Sequence, residues 1–152
     1  MNLETQIRPQ LWGAIANSYR SENYTGAIKD AMVVVTETLR DKSGLTNDGR
    51  DLVGGALGFS KDKPPRIKVN KLQAETERDM QIGRQELLKG LYAVVSNPRS
   101  HEIYNYSQKT ADAIIFFIDY ILGFLGESQQ SFTIEYPPRT VPERVLKVNT
   151  PT

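Results

Sequence analysis

Residues 87–105 read LLKGLYAVVSNPRSHEIYN, a stretch in which an apolar helical pattern is interrupted by Asn97-Pro98. Leucine and valine recur every three or four residues in its first half, which predicts an amphipathic helix. Asn97-Pro98 ends that helix, because proline disfavours helical backbone in the residue before it. The break places His101, the only histidine of the chain, just past the end of a long buried helix. An imidazole near Asn97 and Arg99 is the best chemical lead in the sequence.

The helix that leads into this stretch is predicted to cover residues 76–96. Thr76 and Asp79 fit a capping box, which satisfies free N–H groups at the start of a helix. The two glycines within the helix lower its propensity, and close approach of another helix is one reason to tolerate them. Its apolar and small residues form one stripe, widened by Leu88 and Val95, and that stripe contains Met80, Gly83, Leu87, Leu91 and Val94.

The helix that follows is predicted to cover residues 107–125, with Ser107 as the N-cap and Gly126 near the C′ position. It is apolar almost all round, which is typical of a central helix or of one covered on both sides. A second subunit would supply such cover. The apolar run from residue 113 to 125 is too short to span a bilayer and carries Asp119, so we expect a buried core helix and no membrane contact.

Two further long helices precede this pair, one over residues 8–18 and one over residues 24–42. Asn23 is the expected N-cap of the second, and Gly44 is expected to close it. A short helix is predicted around residues 51–57. The inward side of the second long helix carries apolar residues at spacings of three and four, namely Ile28, Met32, Val35 and Leu39.

The residue pattern of the chain changes after residue 130. Residues 131–136, SFTIEY, alternate like a strand, and the remainder contains four prolines and no period. The sequence therefore predicts an all-α bundle of four main helices over residues 1–130, followed by a short extended or β-type, proline-rich arm over residues 131–152. We expect the arm to pack on its own domain or on a partner, or to be partly disordered.

Composition limits the classes of function. Lysine and arginine number 19 against 18 aspartates and glutamates, so any nucleic-acid binding must come from a local patch. The absence of cysteine excludes disulfides and thiolate metal sites and fits a cytoplasmic protein. Residues 60–71 are the most basic segment of the chain. Charged runs of this type are usually solvated loops, and a loop that contacts phosphate is the functional alternative. Its candidate RNA-binding residues are Lys61, Lys63, Arg66 and Lys68.

The chemistry available near His101 is limited. A single histidine excludes a multi-histidine metal site, and no carboxylate pattern predicts a Mg²⁺ site, so we expect neither metal nor cofactor. A nucleophile elbow for Ser-His-Asp catalysis is also missing. Metal-free acid–base work by the imidazole remains, and RNA cleavage suits it because the 2′-hydroxyl of the substrate is the nucleophile. A structural or surface role for His101 is the alternative.

Three pieces of the chain carry a resemblance to a known family. They are YTGAIKDAMVVVTETLRDKSG from residue 24, NDGRDLVGGALGF from residue 47 and QIGRQELLKGLYAVVSNPRSHE from residue 81. In their order and content they resemble the HEPN superfamily, specifically the Ymh-type subfamily of prophage and defence-island proteins. The resemblance covers roughly residues 24–125, and its most specific part is the run from Gly90 to Glu102.

The resemblance implies a helical bundle that forms a homodimer and, in many members, a metal-independent endoribonuclease. The signature of such enzymes is an arginine, four to six residues and a histidine, with a polar residue often following the arginine. On this chain the histidine corresponds to His101, the polar residue to Asn97 and the arginine to Ser96. The other permitted spacings fall on Val94 and Val95, so no arginine occupies the position.

That departure leaves three explanations open. Arg99 supplies the missing charge from the loop, or Arg84 supplies it from earlier on the helix, or the site is weakened or dead through divergence or deliberate substitution. Serine cannot replace the always-charged, forked guanidinium group.

Two functional hypotheses follow. The first is a HEPN-like endoribonuclease in a phage-defence or toxin system, with RNA as substrate and an antitoxin or another defence-system protein as a further partner. The second is a catalytically impaired HEPN module that binds RNA or a protein partner. Both predict a homodimer whose two copies of His101 share one composite cleft.

Overall fold

The computed structural model describes residues 2–95 and 105–130, and helices predominate in this part of the chain. The all-α class predicted from the sequence is confirmed. Four long helices carry the fold, joined to two short helices and a small pair of strands. In chain order the elements are α1 (Leu3–Gln6), α2 (Pro9–Arg20), α3 (Tyr24–Ser43), α4 (Gly49–Leu57), β1 (Ile67–Lys68), α5 (Glu75–Val95), α6 (Gln108–Glu127) and β2 (Gln129–Gln130).

Helix α3 lies at the centre and runs parallel to α6. At one end the backbone N–H of Tyr106 donates to Thr25 Oγ1 (3.3 Å), and at the other end Lys42 Nζ donates to Ser128 Oγ (3.2 Å). Helix α2 runs antiparallel to both. It is held to α6 by Arg8, whose Nε lies 2.7 Å from Asp119 Oδ1 and whose backbone N–H donates to the same oxygen (2.9 Å).

The core forms where α2, α3 and α6 meet. The residues predicted to face inward on α3 are all buried, and so are Leu11 and Ile15 of α2. Each fully buried leucine or isoleucine contributes about 1.5–3 kcal/mol through the hydrophobic effect. The core residues of α6 follow helical spacing and are Ala111, Ile115, Ile118, Ile121, Leu122, Phe124 and Leu125.

Helices α4 and α5 form an antiparallel pair beside this core, with Gly54 against Lys89 and Gly58 against Gln85. Gln81 of α5 is fully buried at their junction. Its Nε2 donates to the carbonyl oxygens of Leu57 and Ile67, both at 2.9 Å, and its Oε1 accepts from the backbone N–H of Val69 (2.9 Å). One side chain therefore ties α4, β1 and the loop after β1 to α5.

Several helix ends lie where local signals predict them. The Asn23 side chain accepts from the backbone N–H of Gly26 (2.9 Å) at the start of α3. Gly44 closes α3 in the left-handed conformation, with φ of +72°, which glycine adopts without steric cost. The Ser107 side chain accepts from the N–H of Thr110 (3.2 Å) and caps α6 as predicted.

Two predicted helix ends are wrong. Helix α5 begins at Glu75, so Thr76 lies inside it, and the Glu77 side chain accepts from the backbone N–H of Ala74 (3.3 Å). The capping contact therefore involves Ala74, two residues before the predicted N-cap Thr76, and alanine has no side chain that could cap the helix. Helix α6 continues through Gly126 to Glu127, because Ser128 takes the C-cap position and donates its backbone N–H to the Leu125 carbonyl (3.2 Å).

The strands were not predicted where they occur. Strand β1 lies inside the segment predicted as a loop, and it pairs antiparallel with β2 through Ile67 with Gln130 and Lys68 with Gln129. Ile67 is fully buried, so this short pairing secures the segment to the bundle. The strand predicted over residues 131–136, like the arm over residues 131–152, lies outside the described residues.

The interpretation of α5 as a buried helix holds for only one of its faces. Leu88, Leu91 and Tyr92 are buried against the bundle. On the adjoining side of the helix the exposed fractions are 49% for Met80, 43% for Leu87 and 70% for Val94, so Leu91 is the one large member of the predicted stripe that is buried. The hydrophobic period is present as predicted, but no described part of the chain covers this side of the helix.

Candidate functional site

The motif residues Ser96, Asn97, Arg99 and His101 lie outside the described residues, which leave out residues 96–104. Their assignment as catalytic residues therefore remains a prediction. The chain is described up to Val95, where α5 ends, and again from Asn105, just before α6. The surroundings of the nine-residue segment can be built from these two ends.

The downstream end is held close to the start of α3. Tyr106 donates its backbone N–H to Thr25 Oγ1, and Ser107 caps α6 immediately afterwards. The first residues of α3 and α6 and the last residues of α2 therefore meet at this end of the bundle. Asn105, where the described chain resumes after the His101 segment, directly precedes this contact.

A polar and aromatic cluster lies beside this entry point. We use the name aromatic cluster for Trp12, Tyr19 and Tyr24, whose rings meet edge to face at centroid distances of 5.6 Å and 5.5 Å. Arg20 lies over the Trp12 ring, with its guanidinium carbon 5.4 Å from the ring centroid. All three rings are half-buried. Aromatic faces next to a cation are the groups on which proteins stack RNA bases.

Hydrogen bonds fix the middle ring of the aromatic cluster. Tyr19 Oη donates to Asp112 Oδ1 (2.7 Å) and accepts from Gln108 Nε2 (3.1 Å). Burial raises the pKa of Tyr19, and the hydrogen bond to Asp112 raises this pKa further. The phenol stays neutral and tethers α2 to the first turns of α6. Sequence reasoning missed this cluster, although the spacing of seven between Trp12 and Tyr19 placed both rings on one face of a helix.

The upstream end is fixed by Tyr92 in the last turns of α5. Its hydroxyl lies 2.6 Å from Thr36 Oγ1, a hydrogen bond in which either group can donate. Burial raises the pKa of Tyr92, and the Thr36 hydrogen bond opposes that rise. The contact holds the end of α5 against the centre of α3, one turn before the segment begins.

Tyr92→Phe is expected to lower the free energy of unfolding by about 1 kcal/mol near pH 8, because Thr36 loses its partner. The tyrosine of the unfolded chain ionises near pH 10.0 while the folded state keeps its phenol neutral. The contribution of Tyr92 to the free energy of unfolding is therefore constant below about pH 10 and falls above it. The Tyr92→Phe protein has no phenol at this position and does not lose stability in this way. Urea unfolding should show a smaller difference in the free energy of unfolding between wild type and Tyr92→Phe near pH 11 than near pH 8. A difference that stays constant with pH would contradict this account.

The four basic candidates lie in different settings. Lys61 and Lys63 are exposed, in a turn closed by backbone hydrogen bonds between Ser60 and Lys63. Arg66 donates from Nη1 to the carbonyl oxygen of Ser43 (2.9 Å) at the end of α3, which gives it a structural role. Lys68 lies half-buried on β1. The two exposed lysines are therefore the members best placed to contact a phosphate.

The basic segment and the His101 segment flank opposite ends of α5. Ile67 and Val69 contact α5 at Gln81, whereas the His101 segment follows Val95. A helix rises 1.5 Å per residue, so these points are about 20 Å apart along the axis. Within one subunit, an RNA would have to run the length of α5 to contact both.

Residues 2–95 and 105–130 bring together no group of three or more histidine, aspartate or glutamate side chains that could hold a metal ion. Over the same ranges, none of the helices combines the length and the apolar character needed to cross a membrane.

These features define a helical-bundle protein in which a polar, histidine-bearing segment links the ends of two long helices. A family model described as "Protein of unknown function (Hypoth_ymh)" matches residues 5–125, about four fifths of the chain, and the chain therefore belongs to this family. No curated protein and no solved structure is significantly similar to it. The Ymh part of the resemblance is confirmed, and the matched range includes both the His101 segment and the aromatic cluster.

Proposed function

We propose that this protein is a HEPN-like, metal-independent endoribonuclease that acts as a homodimer in a phage-defence or toxin system. His101 transfers protons, Asn97 orients the substrate and Arg99 contacts the phosphate. Ser96 occupies the position where the motif has arginine. The substrate is RNA, and an antitoxin or another defence-system protein is a further partner.

The observation that carries this proposal is the setting of the His101 segment. It links two helix ends that are fixed independently, by Tyr92 with Thr36 on one side and by Tyr106 with Thr25 on the other. The aromatic cluster lies next to the downstream end and offers ring faces to bases. Proton donors, a cation and stacking surfaces close together are what cleavage of a single-stranded RNA requires.

The reaction needs no metal. The 2′-hydroxyl of the RNA attacks the adjacent phosphorus, so a 2′-O–P bond forms and the P–O5′ bond breaks. The imidazole removes the proton from the 2′-hydroxyl, and a protonated imidazole gives one to the departing 5′-oxygen. The products are a 2′,3′-cyclic phosphate and a 5′-hydroxyl. Two copies of His101 in one composite cleft would provide the base and the acid at once.

The structure weighs against Arg84 as the source of the missing positive charge. Its Nη1 donates to the carbonyl oxygen of Val69 (3.1 Å), and its guanidinium carbon lies 4.7 Å from the centroid of the Phe124 ring. It also precedes Val95 by eleven residues, about 16 Å along the helix axis. These contacts favour Arg99, two residues before His101, as the phosphate contact.

A catalytically impaired HEPN module is the second candidate function. Ser96 favours it, because serine offers neither the charge nor the forked donor geometry with which arginine holds a phosphate. Such a protein would keep the dimer and use the end of the bundle to bind RNA or a protein partner.

Cleavage of a mixed pool of tRNA and structured RNA in the presence of EDTA tests the proposal. The expected result is cleavage by the wild-type protein with 2′,3′-cyclic phosphate ends, and faster cleavage by Ser96→Arg. If the wild-type protein does not cleave RNA and Ser96→Arg does, the protein is a catalytically impaired module instead. An absence of cleavage by both proteins, or cleavage only when a divalent metal is added, would contradict the ribonuclease proposal.

A further inference from the structure

The exposed face of α5 has the pattern of a helix–helix seam. Small and apolar residues follow one another at alternating intervals of three and four, the spacing at which two helices pack side by side. We call this set the outer stripe, and it consists of Met80, Gly83, Leu87, Gly90 and Val94. The three large members are the exposed side chains of α5 described above.

Nothing in residues 2–95 and 105–130 explains the two glycines of the outer stripe. A Cβ atom built on Gly83 or Gly90 would meet nothing within 4 Å, so the described bundle has room for a side chain at both positions. A glycine in a helix interior lowers helix propensity relative to alanine. Small residues seven apart allow another helix to approach closely, which would account for them.

The outer stripe continues onto α6. Arg84, at its edge, stacks on Phe124, and Phe124 meets Tyr120 edge to face at a centroid distance of 5.5 Å. Half of the Tyr120 surface is exposed. Monomeric proteins rarely leave large contiguous apolar patches uncovered, so neighbouring exposed apolar side chains on two helices favour a covering partner.

The charges beside the outer stripe fit a second copy of the chain. Asp79 and Glu86 lie along one flank of the stripe, and Arg84 lies on the other. In a parallel pair of helices, a residue on the Asp79 flank faces the residue five positions further on along the opposite flank of the partner. Asp79 of one copy would therefore face Arg84 of the other. The guanidinium of Arg84 has five N–H donors, of which Nη1 also donates to the Val69 carbonyl, and the two-fold axis would repeat the attraction.

We propose that a second copy of this chain binds at the outer stripe, with the two α5 helices parallel and Gly83 and Gly90 at the closest approach. This inference deepens the proposed function, on which it rests for the requirement that two copies of His101 meet. A parallel pair places both Val95 ends, and with them both His101 segments, at the same end of the dimer. An antiparallel pair centred on Leu87 would separate the two Val95 ends by about 24 Å.

Cysteine cross-linking tests the surface and its orientation, because the chain contains no cysteine of its own. Under mild oxidation, full-length Val94→Cys is expected to become mostly a disulfide-linked dimer, since a disulfide requires Cα atoms within about 7 Å. Ile82→Cys is the matched control, because it is also exposed on α5 but lies off the stripe, and it should stay monomeric on a non-reducing gel. Cross-links that form only in a mixture of Met80→Cys and Val94→Cys would show an antiparallel pair and overturn the proposal.

Glycine substitution provides an independent readout. Gly90→Leu should raise the dissociation constant of the dimer by roughly 10–100-fold, because a bulky side chain at a close helix contact costs about 1–3 kcal/mol. Gly13→Leu is the control, since a Cβ on this glycine of α2 also meets nothing within 4 Å. Sedimentation over a range of concentrations measures both constants, and equal values for the two variants would count against the proposal.

The remaining outcomes separate this inference from the ribonuclease proposal. If the wild-type protein cleaves RNA but Val94→Cys does not cross-link, the two copies pair through another surface and the outer stripe is not the interface. Cross-linking without RNA cleavage would leave the outer stripe as the dimer surface and remove the enzymatic proposal. If residues 131–152 of the same chain cover the stripe, Val94→Cys will stay monomeric and react slowly with a thiol reagent, which also overturns the inference.

Discussion

Replacing His101 with alanine is expected to slow RNA cleavage by about 10²–10⁴-fold, the usual contribution of a positioned acid–base group. The reason is that the chain contains one histidine, so no second imidazole can take over the proton transfer. The rate of appearance of 2′,3′-cyclic phosphate ends in EDTA measures this effect. Because the sequence predicts that His101 lies past the proline break and outside the helices, we expect the circular dichroism spectrum and the unfolding transition to remain unchanged.

Two controls separate lost chemistry from lost binding. Added imidazole should restore part of the activity of His101→Ala, because a free base can enter the space left by the side chain. Lys109→Ala, at an exposed position in the first turn of α6, should cleave RNA at close to the wild-type rate. Full activity in the His101→Ala protein would eliminate His101 as a catalytic residue.

The second large effect concerns folding. Gln81→Leu is expected to lower the free energy of unfolding by about 3–5 kcal/mol, because buried polar groups left without a partner cost about 1–3 kcal/mol each. Leucine fills a similar volume but leaves the carbonyls of Leu57 and Ile67 and the N–H of Val69 without their contacts to this side chain. Domains of this size are stable by only about 5–15 kcal/mol, so much of the margin would be lost.

Urea unfolding at 25 °C measures this loss, with Gln10→Leu as the matched control. Gln10 is exposed on α2, so the same substitution there should change the free energy of unfolding by less than about 0.5 kcal/mol. A Gln81→Leu protein as stable as wild type would show that the three hydrogen bonds contribute nothing net. The position of β1 against α5 would then depend on the burial of Ile67 alone.

The residues of the candidate site remain a prediction from the sequence, whereas their surroundings are known only from the fold. The single histidine, the proline break and the family motif all indicated residues 96–101 from sequence. Nothing in the sequence placed Trp12, Tyr19 and Asp112 beside that segment, because these contacts join α2 to α6 across about ninety residues. The basic run supplied four candidate RNA-binding cations, and only folding committed Arg66 to the end of α3 and left Lys61 and Lys63 exposed.

Elements with local causes could be predicted from the amino-acid sequence. Helical spacing of apolar residues set the four long helices, and a side chain or a glycine a few residues away set the ends at Asn23, Gly44 and Ser107. The packing of distant segments set which partner each apolar face meets. It paired Arg8 with Asp119 across 111 residues of sequence, buried Gln81, and left the outer stripe of α5 uncovered within the described chain. The physical reason is that periodicity shows that a face is apolar, whereas the packing of distant segments determines what covers it.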